Sequence, residues 1–215
     1  MNRREFSAAA VLGASALAWP HLALAQRKIE EGKDFRALDK HAPVEAPVGK
    51  IEVVEFFWYS CPHCNAFEPK LQAWLKKLPP DVAFRRVPVA FRDEPFTAHQ
   101  KIFFALEGLG QIDAMQMRVF NAIHGDHQRL DKPAEIAAFA QKNGLDSAKF
   151  MDLYNSFAVQ TKVRQAKALA EAYKIDGVPA LGINGQYYTS GSLAGSADRM
   201  LAVADFLIQK SRKAA

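Results

Sequence analysis

Cys61 and Cys64 are the only cysteines among 215 residues, and Pro62-His63 separates them. A thiolate attacks a disulfide sulfur directly, so a closely spaced pair can pass two electrons by making and breaking its own bond. The apolar run Ile51 to Tyr59 leads into the pair, and a helical pattern leads out of it. At such a strand-to-helix junction, unpaired backbone N–H groups and the helix dipole favour an anion, so the first sulfur ionises easily. Cys61 is therefore expected to be the exposed nucleophile. Cys64, one turn in, is expected to be the buried sulfur that leaves or resolves. A metal centre built on Cys61, His63 and Cys64 is the competing reading. Metal sites usually need three or four ligands, and a helix start turns His63 away from the side the sulfurs share. No metal is expected.

Several segments must position this pair. Ile51-Glu52-Val53-Val54-Glu55-Phe56-Phe57-Trp58 reads as a buried central strand. Pro62 suits the first helical turn, where its missing N–H costs nothing. Phe67, Leu71, Trp74, Leu75 and Leu78 then recur at three- and four-residue steps, and Pro79-Pro80 ends the helix. Residues 82 to 89 read as a second strand, parallel to the first. Thr97 to Leu109, Ala114 to His124, Pro133 to Asn143 and Ser147 onward are helical in pattern, and a long helix runs through Val163 to Tyr173. Ala180 to Ile183, Asn184-Gly185 and Gln186 to Thr189 make a hairpin with a type I′ turn. Ser196 to Lys213 is a final amphipathic helix. Residues 27 to 49 read as an extended arm.

The first 25 residues are set apart. Arg3-Arg4 begins them, an Ala/Leu/Val-rich stretch from Ser7 to Trp19 follows, and Ala23-Leu24-Ala25 is a cleavage pattern ahead of Gln26. This is the layout of a secretory signal peptide. Arg3-Arg4 with Phe6 also partly matches a twin-arginine signal, although Asn2 stands where Ser or Thr is usual. Removing Arg3, Arg4 and Glu5 lowers the formal charge from +5 by one. That mild basicity lacks the clustered Lys/Arg stripe of a nucleic-acid binder. A staple is a poor use for the cysteines, because their loop is too short to constrain the unfolded chain.

Glu55 interrupts the strand six residues before Cys61. Buried, its carboxyl would have a raised pKa and could exchange protons with Cys64. An edge position, or an ion pair with Arg86, is the alternative. Glu68, one turn after Cys64, is a second proton-transfer candidate that reads more readily as a solvated helix residue. His99, His124 and His127 have no metal-ligand spacing and read as surface residues of the helical block.

Taken together, Glu55-Phe56-Phe57, Cys61-Pro62-His63-Cys64, Phe67-Glu68, Gly177-Val178-Pro179-Ala180 and Asn184-Gly185 with Tyr187 resemble the periplasmic DsbA-type thiol:disulfide oxidoreductases. The Pro-His dipeptide is the sharpest of these signals. The resemblance implies an α/β thioredoxin fold with a helical insertion at about 93–160 in a domain spanning 26–215. It implies a strongly oxidising disulfide, with His63 helping to stabilise the Cys61 thiolate. It makes Pro179 the cis-proline facing the sulfurs, leaving the backbone of Val178 free to pair with an extended substrate. By count, Arg86 stands where a buried lysine pairs with the strand glutamate in the best-known member. Implied partners are exported proteins that fold with cysteines and a DsbB-like, quinone-linked membrane oxidase. A periplasmic monomer with no bound cofactor is expected. A reductase or isomerase fed by a DsbD-like partner, and a non-catalytic holdase with an apolar groove around Trp58, are the rival readings.

Overall fold

The computed structural model describes residues 27–213; the expected signal peptide and its cleavage site near Ala25 lie outside the described residues. In chain order come β1 (Arg36–Ala37), β2 (Ile51–Phe57), α1 (Pro62–Leu75), β3 (Val82–Pro88) and α2 (Phe96–Gly108). Then follow α3 (Ile112–His124), α4 (Pro133–Lys142), α5 (Ser147–Asn155) and α6 (Phe157–Ala172). The chain closes with β4 (Ala180–Ile183), β5 (Tyr187–Ser190), α7 (Gly191–Ala194) and α8 (Ala197–Arg212).

The sheet order is β1-β5-β4-β2-β3. β2 lies between β3, parallel to it, and β4, antiparallel to it, and all seven of its residues are buried. Burial on both faces explains why its sequence is nearly continuously apolar. Strand alternation divides the core. Ile51 and Val53 pack with Phe67 and Leu71 of α1 and Met200 and Leu207 of α8. Val54 and Phe56 face the opposite way, into the helices between β3 and β4. α1 buries Cys64, Phe67, Glu68, Leu71 and Trp74, a three- and four-residue stripe that points one sulfur and one carboxylate at the sheet.

Three local readings change, and the hairpin stands as expected. α1 ends at Leu75, so Leu78 lies beyond it. The long terminal helix of the block is two helices, because Ser156 takes an extended conformation and its hydroxyl accepts the Val159 N–H as an N-cap. The arm also contributes an edge strand, with Arg36 and Ala37 paired to Tyr188 and Tyr187. Asp34 anchors it, its buried carboxylate 2.6 Å from Arg27 and 2.7 Å from Arg199 of α8. The hairpin turn has Asn184 at φ 51° and Gly185 at φ 65°, as a type I′ turn demands. A Cβ on Gly185 would lie 2.4 Å from the Ala42 carbonyl oxygen, so no larger residue fits there.

Candidate active site

Cys61 is the N-cap residue of α1, in extended conformation, with Pro62 opening the helix behind it. Both cysteines are free thiols. Cys64 is fully buried, and Cys61 is only 7% exposed, so the expected exposed nucleophile is mostly covered. The cover comes from the other half of the fold. Its Sγ lies 3.4 Å from the Val178 carbonyl oxygen, to which the thiol donates. Val178-Pro179 is a cis peptide bond directly ahead of β4.

The two sulfurs differ sharply in acidity. The Cys64 thiol, hydrogen-bonded to the Cys61 sulfur, holds Cys61 down at about 6. The backbone N–H groups of Cys64 and His63 add to this, and the His63 imidazole contributes least. Neither N–H makes a side-chain cap hydrogen bond to the sulfur. The His63 side chain is exposed, which explains its minor share. Burial pushes the Cys64 thiol well above its ordinary value, and the neighbouring Cys61 adds to the shift. One sulfur ionises readily. The other holds its proton.

Behind Cys64 sits a buried charge cluster. The parallel register of β2 and β3 sets Glu55 opposite Arg86. Arg86 Nε is 3.0 Å from Glu55 Oε2, and Arg86 Nη2 donates to Glu68 Oε1 at 2.6 Å. Glu55 is therefore both buried and paired, and the edge-strand reading is overturned, because β2 has a neighbour on each side. Glu68 is fully buried too, contrary to the solvated helix residue expected; it sits on the core stripe of α1 and also accepts from Gln72 at 2.8 Å. The guanidinium serves the two acids unequally. It hydrogen-bonds Glu68, whereas its Nε–H is not aimed at Glu55, and neither Glu55 oxygen accepts a hydrogen bond. Burial, offset only in part by Arg86, pushes the Glu55 carboxyl up to about 8. Two carboxyls sharing one cation thus leave a protonated acid beside Cys64 near neutral pH.

A groove of about 660 Å³ runs beside the sulfurs, between His63, Phe67 and Lys70 of α1, Val178-Pro179, and Met200 of α8. Trp58 does not line it; its indole is stacked on Phe96, ring centroids 4.0 Å apart. The histidines of the helical block also depart from expectation. His99 is 1% exposed and its Nε2 meets the Arg129 carbonyl at 2.9 Å. His124 is half-buried against the Tyr59 carbonyl, and only His127 is exposed. Among the described residues no three His, Cys, Asp or Glu side chains converge as a metal site.

A parallel βαβ unit with a dithiol at its helix start, facing a cis-proline ahead of an antiparallel hairpin, defines a thiol:disulfide oxidoreductase of the thioredoxin class. Comparison with known proteins narrows the class. The DSBA-like thioredoxin domain matches residues 52–207. A Burkholderia cepacia protein named thiol:disulfide interchange protein DsbA is 46% identical over 179 residues, covering 83% of this chain and 84% of that one. Its Pseudomonas aeruginosa namesake is 45% identical over 184 residues, 86% of each chain. The crystal structure of P. aeruginosa DsbA superposes with a TM-score of 0.83 at 44% identity, over 86% of this chain and 96% of that one. DsbA from Xylella fastidiosa superposes at 0.78 with 31% identity, over 85% and 97%. The chain belongs to the DsbA-like thioredoxin family.

Proposed function

We propose that this chain is an exported protein dithiol oxidase that donates its Cys61–Cys64 disulfide to folding proteins and is recharged at the membrane. The observation that carries this reading is the asymmetry of the two thiols, one at about 6 and the other raised by burial. A disulfide whose reduced form contains a stabilised thiolate is a strong oxidant, because reduction is what releases that stabilisation. A substrate thiolate attacks Cys61 Sγ, the disulfide breaks, and Cys64 leaves and takes up a proton. Glu55, protonated and buried behind it, is the proposed donor. A second substrate thiolate then attacks the substrate sulfur of the mixed disulfide, and Cys61 leaves as a thiolate. The substrate has lost two electrons and the protein has gained them. A DsbB-like membrane oxidase linked to quinone removes them again. The signal-like leader supports periplasmic residence.

Oxidised protein mixed with a reduced two-cysteine peptide is expected to yield one peptide disulfide per protein. Adding quinone-containing membrane vesicles should make the reaction catalytic. Reduction of insulin without peptide oxidation would instead identify a reductase.

The groove beside Val178 is the proposed seat of the extended substrate. A Cβ on Gly191, in its wall, meets nothing within 4 Å. Gly191→Leu is therefore expected to fold normally, stand in the groove and raise the KM for a dithiol peptide several-fold. Its equilibrium with glutathione, which needs no groove, should stay at the parent value. Equal shifts in both would place the substrate elsewhere.

A further inference from the structure

The groove beside the sulfurs has one charged wall. His63, Ala66, Phe67 and Lys70 line it from α1 at three- and four-residue steps, so one stripe of that helix runs along it. Phe67 and Met200 give it apolar surface, and Ser190 and Ser192 give it hydroxyls. Among the described residues no carboxylate lines it, and Lys70 is its one ammonium. At the far end of the stripe, Lys70 Nζ donates to Oδ2 of Asp198, in the first turn of α8, at 2.6 Å. The two side chains keep 47% and 76% of their surface exposed. An ion pair so open to water is weak, and an arriving acid can exchange for Asp198. Beyond the pair the surface continues into a hollow of about 570 Å³ lined by Lys28 and by the two arginines that hold Asp34. Among the described residues Asp198 is the one carboxylate lining either depression.

We propose that Lys70 is a specificity residue that selects extended substrates carrying an acidic side chain about four residues from the reactive cysteine. Asp198 stands in for that side chain in the free protein. This rests on the oxidase reading and names a substrate class for its groove. The spacing comes from geometry. Lys70 lies nine residues past Cys61. At about 1.5 Å per residue the helix advances about 14 Å over that span. An extended chain, at about 3.3 Å per residue, covers it in about four. Side chains alternate in such a chain, so an even spacing returns the acid to the face that carries the cysteine. That face must meet α1, because the substrate sulfur has to reach Cys61. No proton moves in the exchange: one carboxylate replaces another on the same ammonium.

The test uses peptides with alanine at both flanking positions, or with glutamate four residues before or four residues after the cysteine. Affinity for the oxidised protein is read by NMR titration with serine in place of the cysteine, which involves no redox step. One glutamate peptide, chosen by the direction of the bound chain, is expected to bind about twofold tighter than the alanine peptide. Asp198→Asn removes the competing acid and should raise that preference to about fivefold. Lys70→Met keeps the stem that covers the groove wall and should abolish it, as should about 0.5 M salt with the parent protein. A preference that survives Lys70→Met would overturn the proposal, because the charge would then lie elsewhere. Equal affinities in Asp198→Asn would overturn it too, and that variant decides the matter should Lys70→Met not fold. A glutamate preference in a protein that oxidises none of the cysteine peptides would refute the oxidase reading and leave Lys70 its role. Oxidation of all three with equal affinities would do the reverse.

Discussion

Exchanging Pro62-His63 for Gly-Pro is expected to make the Cys61–Cys64 disulfide about 10- to 100-fold harder to reduce with glutathione. The swap removes two different supports of the Cys61 thiolate. One is the imidazole, exposed and the smallest contributor. The other is the backbone N–H of residue 63, which lowers the Cys61 thiol and which proline lacks. A hydrogen bond to a charged acceptor is worth about 1.5–3 kcal/mol. For a two-electron couple this is roughly 30–60 mV, in the direction of a weaker oxidant. His63→Ala removes only the imidazole, so its shift should be clearly smaller. Equal shifts in the two variants would show that imidazole charge, and not the backbone donor, governs the poise. No shift in either would move the source to the Cys64 thiol, the largest support of the Cys61 thiolate.

Features written in contiguous residues are readable from the sequence. The helix start at Pro62 and the Asn184-Gly185 turn each lie within a few residues, and local sterics decide them. The cis Val178-Pro179 bond is implied only by the resemblance. What escaped depends on distant partners. Glu68 shares its helix stripe with Cys64, Phe67 and Leu71, so its period marked it as core while its charge argued for solvent. Arg86 settles that conflict, and only the register of β2 against β3 brings Arg86 there. β1 is two residues long, too short for any period, and exists because β5 offers it a free edge. Ser156 was legible as a cap, a hydroxyl three residues before Val159, but the helical pattern on both sides concealed the break. His99 and His124 lack any motif spacing. Each is defined by a backbone carbonyl far off in sequence, 30 residues away for one and 65 for the other.

Glu55→Gln should yield a protein that is more stable at neutral pH and a slower oxidase. An ordinary glutamate near 4.5 is ionised in the unfolded chain at pH 7, while folded Glu55 keeps its proton up to about 8. Between those values the folded state binds the extra proton, so parent stability falls as pH rises and levels off above about 8. Below about 4.5 both states are protonated and the penalty vanishes. At pH 7 it is on the order of 3 kcal/mol. An amide does not titrate, so any cost of burying it shifts the variant's curve without changing its slope. Denaturant unfolding from pH 4 to 9 should therefore show the gap between variant and parent widening up to about 8. Parallel curves would mean that Glu55 ionises normally beside Arg86. In the proposed mechanism the same proton has a chemical use. The Cys64 thiol lies well above its ordinary value, so Cys64 leaves the disulfide as a poor anion unless an acid meets it. As the proposed donor, protonated Glu55 would meet it below about pH 8. Attack of a peptide thiolate on the oxidised variant should be on the order of 100-fold slower, after correction for the peptide's own ionisation. The parent's loss of rate above about 8 should disappear with the carboxyl. An unchanged rate and profile would leave Glu55 a structural partner of Arg86 and send the proton through solvent.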